Sequence, residues 1–314
     1  MIWFHFHYIF FSHISYKLAP EYSFPEPINE CHEVIINLLQ NHNQFKDFDL
    51  GQIDLNSVIL AGDSAGANIA TVLAIRFKKE QSTLNFNTKL QVLIYPPTQY
   101  FNFQLPSSIR YSNLEMTYSR AKFVLWHMGF RKVNEQLEEM LINNVHHNLL
   151  DQHDLDAYRS LINIDLIDDK YKPDGIRFDY DNYPALADRV YPTQSKSNPI
   201  MSKLNEKNRV IFDDLIRNHK MLKPRLLNLF NMNRSPCLAD DSELSGLPAT
   251  YGVICGQDCR RDEGLIYAER LNRLNKNVHI DYYENAVHGA LIMPNSKLAK
   301  LMQNNIISYL KCNL

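Results

Sequence analysis

The chain has 314 residues, 45% of them hydrophobic and 22% charged, a globular composition long enough for a large core. A formal net charge of −2 with no Lys/Arg cluster argues against an electrostatic design for nucleic acid. The five cysteines, Cys31, Cys237, Cys255, Cys259 and Cys312, form no CxxC, which argues against a disulfide framework and a zinc site; Cys255 and Cys259 read as ordinary thiols near a strand end. In chain order, Met1 to Phe11 is aromatic but lacks the basic n-region and cleavage site of a signal peptide. No window reaches the roughly 18 apolar residues of a transmembrane helix. Tyr8 to Ile14 is a candidate buried strand, followed by proline-punctuated loops at Pro20, Pro25 and Pro27. Cys31, Ile35, Leu38 and Leu39 at helical spacing predict a helix over about Ile28 to Gln40. Val58 to Ala61 has the form of a strand buried on both faces, leading through Gly62 into a helix from about Ala65 to Lys78. Leu90 to Tyr95 is the next strand, stopped by Pro96 and Pro97.

The last quarter repeats this pattern. Ala249 to Cys255 and His279 to Tyr283 read as strands, Leu265 to Leu274 as a helix. A final helix over about Lys297 to Leu310 carries Leu298, Leu301, Met302 and Leu310 on one stripe. Strands alternating with helices argue for a parallel sheet with right-handed crossovers. Residues from about Phe101 to Arg234 break the pattern with helical patches (Arg120 to Met128, Asn208 to Ile216) and a polar stretch from Asp165 to Pro199. Because the parallel pattern resumes afterwards, the expectation is a single α/β domain over 1–314, with a mainly helical cap inserted at about 101–234.

Gly62-Asp63-Ser64-Ala65-Gly66 fits G-x-S-x-G, with a strand before it and a helix after it. A serine on so sharp a turn needs small neighbours, and the turn lifts its hydroxyl out at the carboxyl edge of the sheet. The same turn aims the Ala65 N–H and the helix N-terminus at a developing oxyanion. A serine hydroxyl needs a base to take its proton, and in this arrangement the partners follow in the order serine, acid, histidine, on loops after later strands. Asp258 lies just past one such strand and His288 just past the next. Asp262 and Glu263 are rival acids, but they fall in the first turn of a helix, where carboxylates offset the dipole. His127, His146 and His147 lie in the insertion and read as structural or exposed.

At these residues the chain resembles the arylacetamide deacetylase and hormone-sensitive lipase group of α/β-hydrolases, the arylacetamide deacetylases most closely. Tyr16-Lys17-Leu18-Ala19-Pro20-Glu21 with Phe24-Pro25 is similar to the group's Y-R-L-A-P-E…F-P segment, and Gly62 to Ala70 to its G-D-S-A-G-G-N-L-A turn. Leu93-Ile94-Tyr95-Pro96 resembles its strand 6. Ser235-Pro236 with Leu247-Pro248 resembles the approach to its acid strand, Asp258 to Gly264 is similar to D-x-L-R-D-E-G, and His288-Gly289 to its H-G. The likeness covers about residues 8–110 and 235–295. It implies an α/β-hydrolase fold, with Ser64 as nucleophile, His288 as base, Asp258 as orienting acid and Ala65 as an oxyanion donor. It implies hydrolysis of small lipophilic esters or amides through an acyl-enzyme, with no cofactor and no metal, at the lumenal side of the endoplasmic reticulum membrane.

The chain departs from the group in one respect. The group's H-G-G-G oxyanion motif lies well upstream of Y-R-L-A-P-E, whereas this chain begins 15 residues before Tyr16 and has no such motif. Losing one oxyanion donor typically costs about a hundred- to a thousandfold in rate. The expectation is therefore an N-terminally truncated gene model with Met1 to about His7 a miscalled start. It would lack the group's strands 1 to 3, its membrane anchor, and the cysteine that Cys255 pairs with in the deacetylase branch. The alternative function is a catalytically impaired relative that at most binds a small lipophilic ligand. Ligand-binding relatives of that kind lack the catalytic histidine, and all three positions are filled here.

Overall fold

The computed structural model describes residues 10–41, 53–111, 120–130, 135–171, 199–274 and 276–313, with backbone alone for 199–208. Among them a sheet of four parallel strands runs in the order β1 (Val58–Asp63), β2 (Thr88–Ile94), β3 (Ala249–Gln257), β4 (Val278–Val287). Between the strands run α2 (Ala65–Glu80), the long β2–β3 connection, and α10 (Arg261–Arg273). Helices α1 (Glu26–Gln40) and α11 (Lys297–Asn313) flank the sheet.

Side chains alternate across the pleat and so divide the core. Leu90, Val92 and Ile94 of β2 and Tyr251, Val253 and Cys255 of β3 join Met302 and Leu310 of α11 on one face. Leu93 and Ile254 point the other way, into a cluster built from α1, α2 and α10. The connection between β2 and β3 holds α3 (Pro106–Arg110), α4 (Arg120–His127), α5 (Glu135–Ile142), α6 (Gln152–Leu161), α7 (Pro199–Asn218), α8 (Leu222–Leu227) and α9 (Asp241–Leu244). It has a hydrophobic centre of its own around Leu125, Leu141, Phe212 and Leu226.

Two expectations need correction. Phe10 to Ile14 form no strand, while Tyr8 and Ile9 lie outside the described residues. Phe10 and Phe11 are more than half exposed, and the segment is held by side-chain packing of Ile14 and Tyr16 on the core rather than by a backbone ladder. On α11, Leu301 is 50% exposed; the inward stripe runs through buried Met302 and Leu310 with partly buried Leu298 and Ile306, four residues apart. Most of the polar stretch from Asp165 to Pro199, namely 172–198, lies outside the described residues.

Candidate active site

The strand registers bring four residues to one edge of the sheet. β1 and β2 pair through Asp63↔Ile94, so Ser64 and Tyr95 each stand one step beyond the last pair. β3 and β4 end on Gln257↔Val287, and one step beyond stand Asp258 and His288. An irregularity between Cys255 and Gln257 sets this second alignment. Gly256 sits in it, where a Cβ would meet the Glu284 carbonyl oxygen at 2.2 Å, so only glycine lets β4 come this close.

Ser64 caps α2 with φ 50° and ψ −117°, a strained backbone for a residue with a side chain. Its N–H donates to the Ile94 carbonyl at 2.9 Å, and its carbonyl accepts from Asn68 N–H. Gly62 is obligatory, since a Cβ there would lie 2.3 Å from the Gly66 backbone. At Gly66 a Cβ would meet nothing within 4 Å. The expected demand for small neighbours therefore applies to one flank only. Ala65 is the first residue of α2, so its N–H has no intrahelical acceptor and points out of the helix beside Ser64.

Ser64 Oγ lies 2.8 Å from His288 Nε2, and His288 Nδ1 lies 2.7 Å from Asp258 Oδ2. A carboxylate only accepts, so Nδ1 carries the imidazole proton and Nε2 is left to accept from the serine hydroxyl. Asp258 is 1% exposed. Burial works to raise its pKa, but His288 and Arg260, whose N–H donates to Oδ1 at 2.9 Å, outweigh it and hold the carboxyl below its usual range.

The rival acids are occupied elsewhere. Asp262 accepts from Ser107 N–H at 2.7 Å, at the start of α3, and pairs with Arg261. Glu263 is buried against Arg120 of α4 and Gln99. Burial pushes the Glu263 carboxyl up to about 7 against the pull of Arg120 and Arg260. These contacts, with the Ser108 hydroxyl donating to the Cys259 carbonyl, clamp the β2–β3 connection to the helix that follows Asp258. Asn68, one turn beyond Ser64, donates to the Pro97 and Arg234 carbonyls and ties down the other end. Gln99 and Arg120 carry no motif that marks them in a single sequence, whereas Asn68 falls on the asparagine of the segment similar to G-D-S-A-G-G-N-L-A.

His146 and His147 both place Nε2 on the Phe101 carbonyl, at 2.9 and 2.8 Å, and His127 Nδ1 faces the Phe123 carbonyl at 2.9 Å. All three are structural, as expected. Cys255 and Cys259 are buried thiols outside any disulfide. Among the described residues, one group of side chains has the spacing of a metal site, exposed Asp151, His153 and Asp154. Asp151 there accepts Asp154 N–H and caps α6, which accounts for its place.

The family model for the alpha/beta hydrolase fold matches residues 9–161 and 167–292. The chain belongs to this α/β-hydrolase family. Among curated α/β-hydrolase relatives, neutral cholesterol ester hydrolase 1 of Mus musculus is 29% identical over 307 residues, which are 96% of this chain and 65% of the relative. Arylacetamide deacetylase of Bos taurus is 27% identical over 300 residues, 96% of this chain and 64% of the relative. The chain thus spans just under two thirds of the relatives it matches. Solved structures of like fold include a carboxyl esterase of the fungus Tuber melanosporum, at TM-score 0.56 and 16% identity, covering 95% of this chain and 65% of that one. An esterase of Pyrobaculum calidifontis matches at TM-score 0.53 and 20% identity, covering 95% and 64%.

Proposed function

We propose that this chain carries the nucleophile, base and orienting acid of a serine hydrolase that cleaves carboxylic esters of small lipophilic substrates. The supporting observation is the hydrogen-bonded chain Ser64 Oγ, His288, Asp258 at the edge of the sheet. Ser64 attacks the acyl carbonyl while His288 Nε2 takes its proton. Asp258, kept ionised, fixes the tautomer and stabilises the imidazolium. The Ala65 N–H, at the positive end of α2, donates to the developing oxyanion. Collapse gives an acyl-enzyme, His288 returns the proton to the leaving group, and water activated by His288 releases the acid.

The names of the curated relatives, a neutral cholesterol ester hydrolase and an arylacetamide deacetylase, motivate lipophilic esters first and amides second. The β2–β3 connection, clamped to α10 and α2, would lie over the site and shape the acyl pocket as a cap. Resemblance alone supports the lumenal side of the endoplasmic reticulum membrane; among the described residues no helix is long and apolar enough to cross a membrane.

A second reading, an impaired relative that binds a lipophilic ligand, has one observation in its favour. Among the described residues we assign a single oxyanion donor, and a site short of one donor runs about a hundred- to a thousandfold slower. Turnover of p-nitrophenyl butyrate by the purified chain and by Ser64→Ala separates the two. We expect slow turnover that Ser64→Ala abolishes; equal rates in both proteins would favour the ligand-binding reading.

A further inference from the structure

Each strand of the sheet delivers one residue to the site just past its register: Ser64 from β1, Asp258 from β3, His288 from β4. The residue that β2 delivers is Tyr95. It is 2% exposed and has φ 39°, a left-handed backbone that a tyrosine rarely adopts, shared on this edge with Ser64. The surroundings fix that conformation. Tyr95 N–H donates to the Val253 carbonyl at 2.7 Å, and Ile94, immediately before it, accepts the Ser64 N–H. The phenol ring meets the His288 imidazole in a T-shaped contact, centroids 4.8 Å apart and planes at 62°. Its hydroxyl donates to Asp63 Oδ2 at 3.3 Å.

We propose that Tyr95 is a positioning residue for the base: its ring holds the His288 imidazole between Ser64 and Asp258, and its hydroxyl ties that ring to the residue preceding the nucleophile. The proposal rests on the serine-hydrolase reading. Two functions follow from one side chain. The ring packs against the imidazole while Ser64 and Asp258 engage its two nitrogens, so the imidazole keeps the orientation in which Nε2 faces Oγ. By keeping the imidazole on the Asp258 carboxylate, the same packing also favours the imidazolium that forms as Ser64 attacks. Burial, with Asp63 beside it, pushes the Tyr95 phenol far up, so it stays a neutral donor throughout. The groups that bear on His288 are thus Ser64 from β1, Asp63 through the Tyr95 hydroxyl, Tyr95 from β2, and Asp258 with Arg260 after β3.

The test compares the native chain with Tyr95→Phe and Tyr95→Met by two measurements: the NMR titration of the His288 ring, which needs no turnover, and the pH dependence of Ser64 acylation by a fluorophosphonate. Tyr95→Met should loosen the imidazole from Asp258, lower the His288 midpoint by about 0.5 unit or more and slow acylation about tenfold. Tyr95→Phe keeps the ring but loses the tie to Asp63, so it should shift the midpoint less than Tyr95→Met and slow acylation only about threefold. If Tyr95→Met does not fold, Tyr95→Leu replaces it with the same expectations. A folded Tyr95→Met or Tyr95→Leu with native midpoint and native acylation overturns the proposal, because a merely structural tyrosine would change stability alone. If the native chain shows no Ser64 acylation, the serine-hydrolase reading fails instead, and the His288 midpoint alone decides whether Tyr95 governs this histidine.

Discussion

A buried aspartate is ordinarily harder to ionise, yet Asp258 is held below its usual range because His288 and the Arg260 N–H outweigh the desolvation. On the proposed serine-hydrolase reading, that balance keeps a fixed negative charge beside His288 when the imidazole accepts the serine proton. Asp258→Asn preserves shape but offers the wrong hydrogen-bonding pattern, so acyl transfer should fall about a thousand- to ten-thousandfold with little loss of fold, checked by turnover beside a thermal melt. Ser64, Asp258 and His288 were legible in the sequence because a motif and a chain order mark them. The dipole argument explains Asp262 and Glu263 only in part, since each is consumed by a specific contact with the β2–β3 connection. Tyr95 was legible only as the end of a strand. Its left-handed backbone and its contact with His288 depend on residues 193 positions apart, which no local pattern encodes.

Elements with a strong period were read well, and their ends less so. β1, α2, β2, β3 and β4 occur where the apolar runs place them, but α10 begins at Arg261 rather than Leu265, because its first turn is buried polar residues rather than an apolar stripe. Phe10 to Ile14 misled because aromatic density reads as a buried strand, while a strand also needs a neighbour to take its backbone hydrogen bonds. The turn between β1 and α2 gives an asymmetric prediction. Gly62→Ala forces a Cβ into the Gly66 backbone and should cost about 1–3 kcal/mol. Gly66→Ala places a methyl in open space on a helix and should be neutral or stabilise by up to about 1 kcal/mol. Denaturant unfolding of the two variants checks both signs.

For the whole molecule, buried titratable groups set how stability depends on pH. Burial lowers His127 and His147 to about 4 and His146 well below 6.5. From about pH 6.5 down to 4 the unfolded chain therefore takes up protons that the folded chain refuses, and stability falls as the pH drops. Glu263 acts in the opposite sense. Its folded value of about 7 exceeds the ordinary 4.5, so its contribution is full below 4.5 and is lost as the pH rises towards 7. Asp258, lowered, contributes above 3.8 and loses that contribution in stronger acid. Three imidazoles against one carboxyl leave a net loss towards acid. The urea midpoint should fall between pH 7 and 4.5, and fall more steeply in Glu263→Gln, which removes the opposing group. A midpoint independent of pH over this range would contradict the burial of these histidines.

The central claim is that Ser64 is a nucleophile activated by His288. Intact-mass and peptide analysis after exposure to a fluorophosphonate tests it most directly. A single phosphonyl adduct on the peptide carrying Ser64, absent in Ser64→Ala and strongly slowed in His288→Ala, is the predicted result. A folded protein that gains no adduct, or gains it at the same rate without His288, would contradict it.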